Sequence, residues 1–210
     1  MSLADFEMHL TDPAPAFRCF DCADRKKELK LLTPITNTRS PAASAESLRE
    51  LETLLGTQFD DVQRFYELHD GLELYADTRS DAVGLAFFPI TVWSDLSRRM
   101  RGQFTAMGFE ESHDPDGLLR GIAFGVVCHS SNYFTFQTTG PHAGTIFYID
   151  HDDWQDQPIA ESFADFLALI LRDPADFLFK VGCYTRYSDG ETDTQWIPKE
   201  YIPDAAQNGI

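Results

Sequence analysis

The stretch Gly121–Trp154, GIAFGVVCHSSNYFTFQTTGPHAGTIFYIDHDDW, decides how the rest of the chain is read. Three of its segments, GIAFGVV (121–127), NYFTFQT (132–138) and TIFYI (145–149), are apolar and rich in β-branched and aromatic residues, the composition of strands. The links between them, Cys128-His-Ser-Ser131 and Thr139-Gly-Pro-His-Ala-Gly144, are short and carry turn residues. Connections of that length force neighbouring strands to run antiparallel, so the stretch reads as a three-stranded meander. It ends in Asp150, His151, Asp152, Asp153 and Trp154, where carboxylates and an imidazole crowd the exit of the last strand.

Helical spacing takes over on either side. Downstream, Ile159, Phe163, Phe166, Leu167, Ile170 and Leu171 form an apolar stripe behind Pro158, and Asp173-Pro174 then opens a short helix with Phe177, Leu178 and Val181. Upstream, Ser47 and Glu50 make a capping-box pair, Leu48, Leu51, Leu54 and Leu55 follow, and Gly56 is a natural stop. A second helix is predicted over about 60–69, capped by Asp60 or Asp61 and ended by Asp70-Gly71. Val62, Phe65, Tyr66 and His69 share its inner face, where His69 reads as a half-buried core residue rather than a ligand. Leu72–Tyr75 and Leu85–Phe88 read as short strands, Ser94–Met100 as a short helix, and 102–117 as irregular.

The ends are less patterned. A strand is expected around 16–22, and the Pro/Thr/Ser/Asn stretch from Thr33 to Pro41 reads as a linker or long loop. The opening Met1-Ser2-Leu3 is given no structural weight, and the acidic tail from Ser188 is expected to be extended or poorly ordered. The division is therefore an N-terminal extension over 1–43 with room for one added strand, a domain over 44–186, and a tail over 187–210. Helices flanking an antiparallel sheet make the fold α+β, with the helices expected on one face.

Composition narrows the function. The chain has 210 residues, 43% hydrophobic and 13% aromatic, so most of it should fold. No window approaches the roughly 18 uninterrupted apolar residues of a membrane helix. The start, MSLADFEMHLTD, has neither the basic nor the apolar region of a secretory signal, so the protein is expected in the cytoplasm. Seventeen Lys and Arg against 34 Asp and Glu leave a net charge of −17, which repels nucleic-acid phosphates and anionic membranes and attracts basic proteins. No Lys or Arg occurs between Arg120 and Arg172, whereas Asp150, Asp152, Asp153, Asp156, Glu161 and Asp165 all lie there. Cys19 and Cys22 have C-x-x-C spacing but no second close pair to complete a zinc site, and Cys128 and Cys183 flank apolar runs as small buried hydrophobes.

The ordered combination of these features resembles the SUKH superfamily, the fold shared by the yeast cell-wall-assembly regulator and many bacterial immunity proteins. It rests on the Leu-rich helix ending at Gly56, FYELHDGLELY (65–75), GIAFGVV (121–127), NYFTFQTTG (132–140), GTIFYIDHDDW (144–154) and IAESFADFLALIL (159–171), and it covers roughly 44–172. Gln58-Phe59 stands where the family usually has Leu-Pro, Asp70-Gly71 where it has Asn-Gly, and Ser130-Ser131-Asn132 where it has Gly-Asp. The resemblance implies a non-enzymatic protein that occludes a cognate toxin, often a nuclease with a basic cleft.

The residues themselves leave two chemistries open. Motifs for a hydrolase nucleophile elbow, a P-loop or a dinucleotide cradle are absent, and no cofactor is implied. Asp150, His151 and Asp152, with His142 across the preceding hairpin, could serve a metal-dependent hydrolase, but successive residues leaving a strand point in alternating directions and need a sharp turn to converge. A basic protein partner, a toxin domain among the candidates, uses the same acids without that convergence. Asp150, Asp152, Asp153, Asp156, Glu161 and Asp165 would form an acidic surface with Trp154 as its aromatic anchor. A regulatory scaffold with no toxin partner is the third reading.

Overall fold

Strands laid side by side in nearly unbroken chain order carry the structure. The computed structural model describes residues 3–11, 16–21, 28–56, 59–77, 83–128, 130, 132–152, 157–172, 177–178, 181, 184–186 and 193–198. Their order is α1 (Leu3–Thr11), β1 (Ala16–Asp21), β2 (Glu28–Arg39), α2 (Ala45–Leu55), α3 (Asp60–Tyr66), β3 (Leu72–Asp77), β4 (Leu85–Phe87), α4 (Trp93–Ala106), β5 (Ile122–Val127), β6 (Asn132–Phe136), β7 (Ile146–Ile149), α5 (Phe163–Arg172), β8 (Tyr184–Arg186) and β9 (Asp193–Pro198). The sheet runs β7-β6-β5-β4-β3-β2-β1-β9-β8 with every pair antiparallel. The fold is α+β, built on the predicted meander β5–β6–β7. Among the described residues no helix is long and apolar enough to cross a membrane.

Strand β2 corrects the expected loop over 33–41. Thr33, Ile35, Thr36 and Thr38 are β-branched, and that preference outweighs Pro34. Residues up to Pro34 pair with β1, and residues from Ile35 to Arg39 pair with β3. The missing N–H of Pro34 thus falls where the strand changes partners. The tail from Ser188 contributes β9, which lies between β1 and β8. The opening residues also matter. Leu3 belongs to α1, a helix that the weak patterning of 1–43 does not announce, and it packs against the main core with the buried Phe6 and Leu10.

The helices do not share one face. Along β5–β7 alternate residues belong to different cores. Phe124, Phe134, Phe136, Ile146 and Tyr148 face Leu51, Leu55, Val62, Phe65, Phe163, Phe166 and Ile170 of α2, α3 and α5. Ala123, Tyr133, Phe147 and Ile149 face Leu96, Met100 and Phe104 of α4. Helix α4 starts in the main core with Trp93 and carries the chain to the other side. It runs six residues past the predicted end at Met100, because Met100 and Phe104 anchor the helix on either side of Gly102. The unbroken apolar runs of the meander are the signature of a sheet covered twice.

Rings fill the main core. Phe124 and Phe136 stack with centroids 4.1 Å apart, and Phe163 meets Phe124 edge-on at 5.9 Å. Polar tips are satisfied at the perimeter: Tyr66 and Trp93 both donate to the Phe88 carbonyl, at 3.1 and 2.9 Å. Burial, reinforced by Asp70, holds the Tyr66 hydroxyl well above its usual pKa, so it remains a neutral donor. The Asp-Gly turn after α3 is fixed in the same way. Asp70 accepts the Ile90 N–H at 2.9 Å, and Gly71, at φ 124°, would bring a Cβ within 3.0 Å of the Phe87 carbonyl. Tyr75 has φ 60° beside the bulge between Thr36 and Thr38, and it is held there from both ends. Its N–H bonds to Asn37 Oδ1 at 3.1 Å and its hydroxyl to the Ile170 carbonyl at 3.2 Å.

Two glycines set a test of this packing with opposite signs. A Cβ on Gly125 would lie 2.9 Å from the Ala86 carbonyl and 3.0 Å from Phe87 Cδ1, whereas one on Gly102 meets nothing within 4 Å. Gly125→Ala should lower stability by about 1–3 kcal/mol. Gly102→Ala, on the exposed face of α4, should raise it by about 0.5–1 kcal/mol. Urea unfolding of both variants measures the difference. Equal midpoints would contradict the close approach of β4 to β5.

Candidate functional site

The acidic cluster sits where β7 leaves the sheet. Ile149 is buried, Asp150 and His151 are half-buried, and the side chain of Asp152 is 83% exposed. The sharp turn that convergence requires is present: Asp150 Oδ1 accepts the Asp152 N–H at 2.9 Å. It brings one ligand atom from each of Asp150, His151 and Asp152 within 4.8 Å of one another, so the alternation of a strand does not keep these three apart. His151 lies between its neighbours, with Nδ1 3.9 Å from Asp150 Oδ1 and Nε2 3.3 Å from Asp152 Oδ2.

What holds the turn is a residue that the sequence reading places merely at the start of a strand. Asn132 is 4% exposed, and its Oδ1 accepts both the His151 N–H at 3.2 Å and His151 Nδ1 at 2.6 Å. Its Nδ2 donates to the Tyr148 hydroxyl, which donates onward to the Val181 carbonyl at 2.6 Å. Both ends of this wire are backbone groups of fixed polarity: a carbonyl can only accept and an N–H can only donate. The direction of every bond between them follows. Asn132 must present oxygen to His151, and His151 must carry a proton on Nδ1. Its Nε2 is the nitrogen turned towards Asp152 and solvent.

The other predicted residues are arranged differently. Asp153, Trp154 and Asp156 lie outside the described residues. Glu161 and Asp165 are exposed but stand at the opposite end of β7, because Ile146 bridges to Ala160. About 10 Å of strand therefore separates them from the Asp150 turn. Asp165 belongs to the cap of α5: Ser162 Oγ accepts the Asp165 N–H at 3.1 Å and donates to Asp165 Oδ2 at 2.8 Å. Glu161 has no hydrogen bond or ion pair among the described residues. His142 does not join the cluster. It lies 3.9 Å from Asp116 and edge-on to Phe147 at 5.1 Å.

Three further acids serve as structural groups elsewhere in the domain. Asp61 lies in the first turn of α3, where Phe59 takes the cap position, and it bonds its own Val62 N–H at 3.0 Å. Its second oxygen reaches Ala164 N at 2.8 Å and so caps α5 from another helix. The buried Asp114 accepts Leu118 N–H at 2.6 Å and Leu119 N–H at 2.9 Å. Asp70 holds the Ile90 N–H, as described above. Cys128 is half-buried rather than fully so, and burial, with Glu73 adding, pushes its thiol up to about 11, which leaves it protonated at neutral pH.

The wire predicts what Asn132 does. Asn132→Ala leaves the Tyr148 hydroxyl without its donor and the His151 N–H without its acceptor, at a cost of about 2–3 kcal/mol. It also frees the imidazole, so the Nδ1–H resonance of His151 should vanish from the nitrogen-edited NMR spectrum and its tautomers should mix. A retained Nδ1–H signal would show that Asn132 does not set the tautomer.

Residues 42–169 match the SMI1 / KNR4 family (SUKH-1). The matched stretch runs from just before α2 to the last turn of α5 and includes the Asp150 turn, Asn132, Glu161 and Asp165. No curated protein matches the chain. The match covers well over half of the sequence and agrees with the resemblance read over 44–172; the chain belongs to the SMI1 / KNR4 family (SUKH-1).

Proposed function

We propose that this chain is a non-enzymatic binding protein that neutralises a basic partner, of the nuclease-toxin type, by covering it with the acidic surface around β7. Asp150, Asp152, Asp153, Trp154, Asp156, Glu161 and Asp165 make up that surface, and the cytoplasm is where it acts. Family membership supports a protein-binding role, since the resemblance to bacterial immunity proteins implies occlusion. The observation that carries the reading is the Asp150 turn. It exposes Asp152 on a loop pinned to the buried Asn132, in a stretch without Lys or Arg between Arg120 and Arg172.

A pinned loop suits this task physically. Its geometry is set before the partner arrives, so less conformational entropy is lost on binding. The negative field accelerates encounter with a basic surface and discriminates against acidic ones. The span from the Asp150 turn to Glu161 fits within one side of a standard protein interface of about 800 Å².

A second reading, a metal-dependent hydrolase at Asp150, His151 and Asp152, draws support from the three ligand atoms within 4.8 Å. Against it, Asp150 Oδ1 and His151 Nδ1 are already engaged, by the Asp152 N–H and by Asn132. Only Nε2 of the ring is free to ligate.

The test is affinity capture of a partner at low salt, elution with rising salt, and then association kinetics with the partner recovered. Replacing Asp152 with Asn and Glu161 with Gln removes two charges that cap no helix and close no turn. Association should slow by about tenfold at low salt and by much less at high salt, with dissociation and melting temperature unchanged. An unchanged association rate would remove the acidic surface from the interaction. A stoichiometric Mn²⁺ or Zn²⁺ site seen by calorimetry and lost in Asp152→Asn would favour the hydrolase.

A further inference from the structure

Helix α1 lies outside the stretch matched to the family, yet it fills a groove in the domain. Phe6 is wholly buried, Leu10 nearly so and Leu3 partly, and the spacing of three and four residues puts all three on one face. Phe6 meets Phe65 of α3 edge-on, with centroids 6.1 Å apart. A polar latch holds the same helix. One oxygen of Glu7 lies 2.8 Å from His69 Nε2, and the other accepts from Arg39 at 3.4 Å. A helix that presents apolar residues at i, i+3 and i+7 to a groove and sets a carboxylate against basic groups at its rim is a common form of peptide ligand.

The fit is incomplete. Beside α1 a cavity of about 240 Å³ stays open, lined by Leu3 and Phe6 from α1, Asp61 and Arg64 from α3, and Phe163 and Leu167 from α5. The mouth carries Arg64, whose side chain is exposed. At nine residues α1 is also too short to persist as a helix once it leaves the surface. A longer or bulkier helix would bury apolar surface that α1 leaves open.

We propose that the groove between α3 and α5 is a helix-binding site, occupied in cis by α1, from which a partner helix of the same chemistry displaces it. That partner carries apolar residues at i, i+3 and i+7, at least one of them larger than its counterpart in α1, and a carboxylate at i+4 for His69 and Arg39. The chain link gives α1 an effective concentration in the millimolar range, so the partner must gain by filling the cavity what it loses by being separate. The cavity adjoins the Glu161 and Asp165 end of the acidic surface, but none of the acids proposed for toxin binding lines it, and the site stands whether or not that surface binds a toxin.

Hydrogen exchange on the full chain is the first arm of the test. Amides of α1 should exchange at least tenfold faster than those of α5, because α1 opens alone. Equal protection of the two helices would overturn the proposal. In the second arm a fluorescent peptide with the sequence of Leu3–Thr11 is added to full-length wild type and to full-length Phe6→Asp, whose own α1 cannot dock. The peptide should bind Phe6→Asp at least tenfold more tightly than wild type, and a peptide carrying Phe6→Asp itself should bind neither. No binding to the folded variant, or equal binding to both proteins, would overturn the proposal. So would a Phe6→Asp chain that fails to fold, since the groove could not then exist without its occupant.

Discussion

The structure depends on a sheet whose middle strands are apolar on both sides. Every residue of β6 and β7 is buried, and so are four of the six in β5. Such strands cannot stand at a surface, and a chain that makes them must also supply two layers of cover. Helices α2, α3 and α5 provide one layer. For the other, α4 leaves the main core at Trp93 and lays Leu96, Met100 and Phe104 over Ala123, Tyr133, Phe147 and Ile149. Ser97 fastens this crossing, since its Oγ accepts the Ala123 N–H at 2.9 Å where β4 no longer reaches β5.

Cover from two sides makes small residues in the sheet as consequential as large ones. Phe87 lies against Phe124 at 5.6 Å and against Phe166 at 5.8 Å because Gly125 lets β4 come close to β5. The same close packing supports the positive φ of Tyr75. That residue could relax only by giving up the Ile170 carbonyl at the end of α5 or the Asn37 side chain in β2. Among the described residues, β1, β8 and β9 pair into this sheet through the first half of β2. The sheet is thus doubly covered at its β5–β7 end, and it carries the Asp150 turn there.

Much of this was legible in residue order. The meander, the Leu-rich helix, the helix of FADFLALIL and the Asp-Gly stop each follow from local patterns, and their sequence carried the family resemblance that the match over 42–169 upholds. What escaped reading was of two kinds. Some local signals were outweighed: Pro34 and Gly102 look like breaks, but β-branched neighbours in β2 and apolar anchors in α4 prevail. Other facts depend on partners distant in the chain. That α4 takes the second face, that Asp61 caps a helix 103 residues away and that Asn132 holds His151 cannot be seen in any window. The continuous, non-alternating burial of IFYI and NYFTF was the one local hint of the second layer.

The acids of the candidate site separate by what their oxygens already hold. Asp61, Asp70, Asp114, Asp150 and Asp165 each accept a backbone N–H or a capping hydroxyl, and the fold would retain them whether or not any partner existed. Charge alone is therefore a poor guide to recognition in a chain of net charge −17. Asp152 and Glu161 are different. Among the described residues Glu161 makes no hydrogen bond or ion pair, and the Asp152 carboxylate meets the imidazole that Asn132 holds. A buried amide is committed to orienting that imidazole, and Tyr148 and Val181 are committed to orienting the amide. Local stability needs no such wire to end on an exposed carboxylate, because the Asp150 Oδ1 bond already closes the turn. The wire fixes the imidazole and the backbone of the turn, and under the proposed binding role that holds the loop bearing Asp152 in place before a partner arrives.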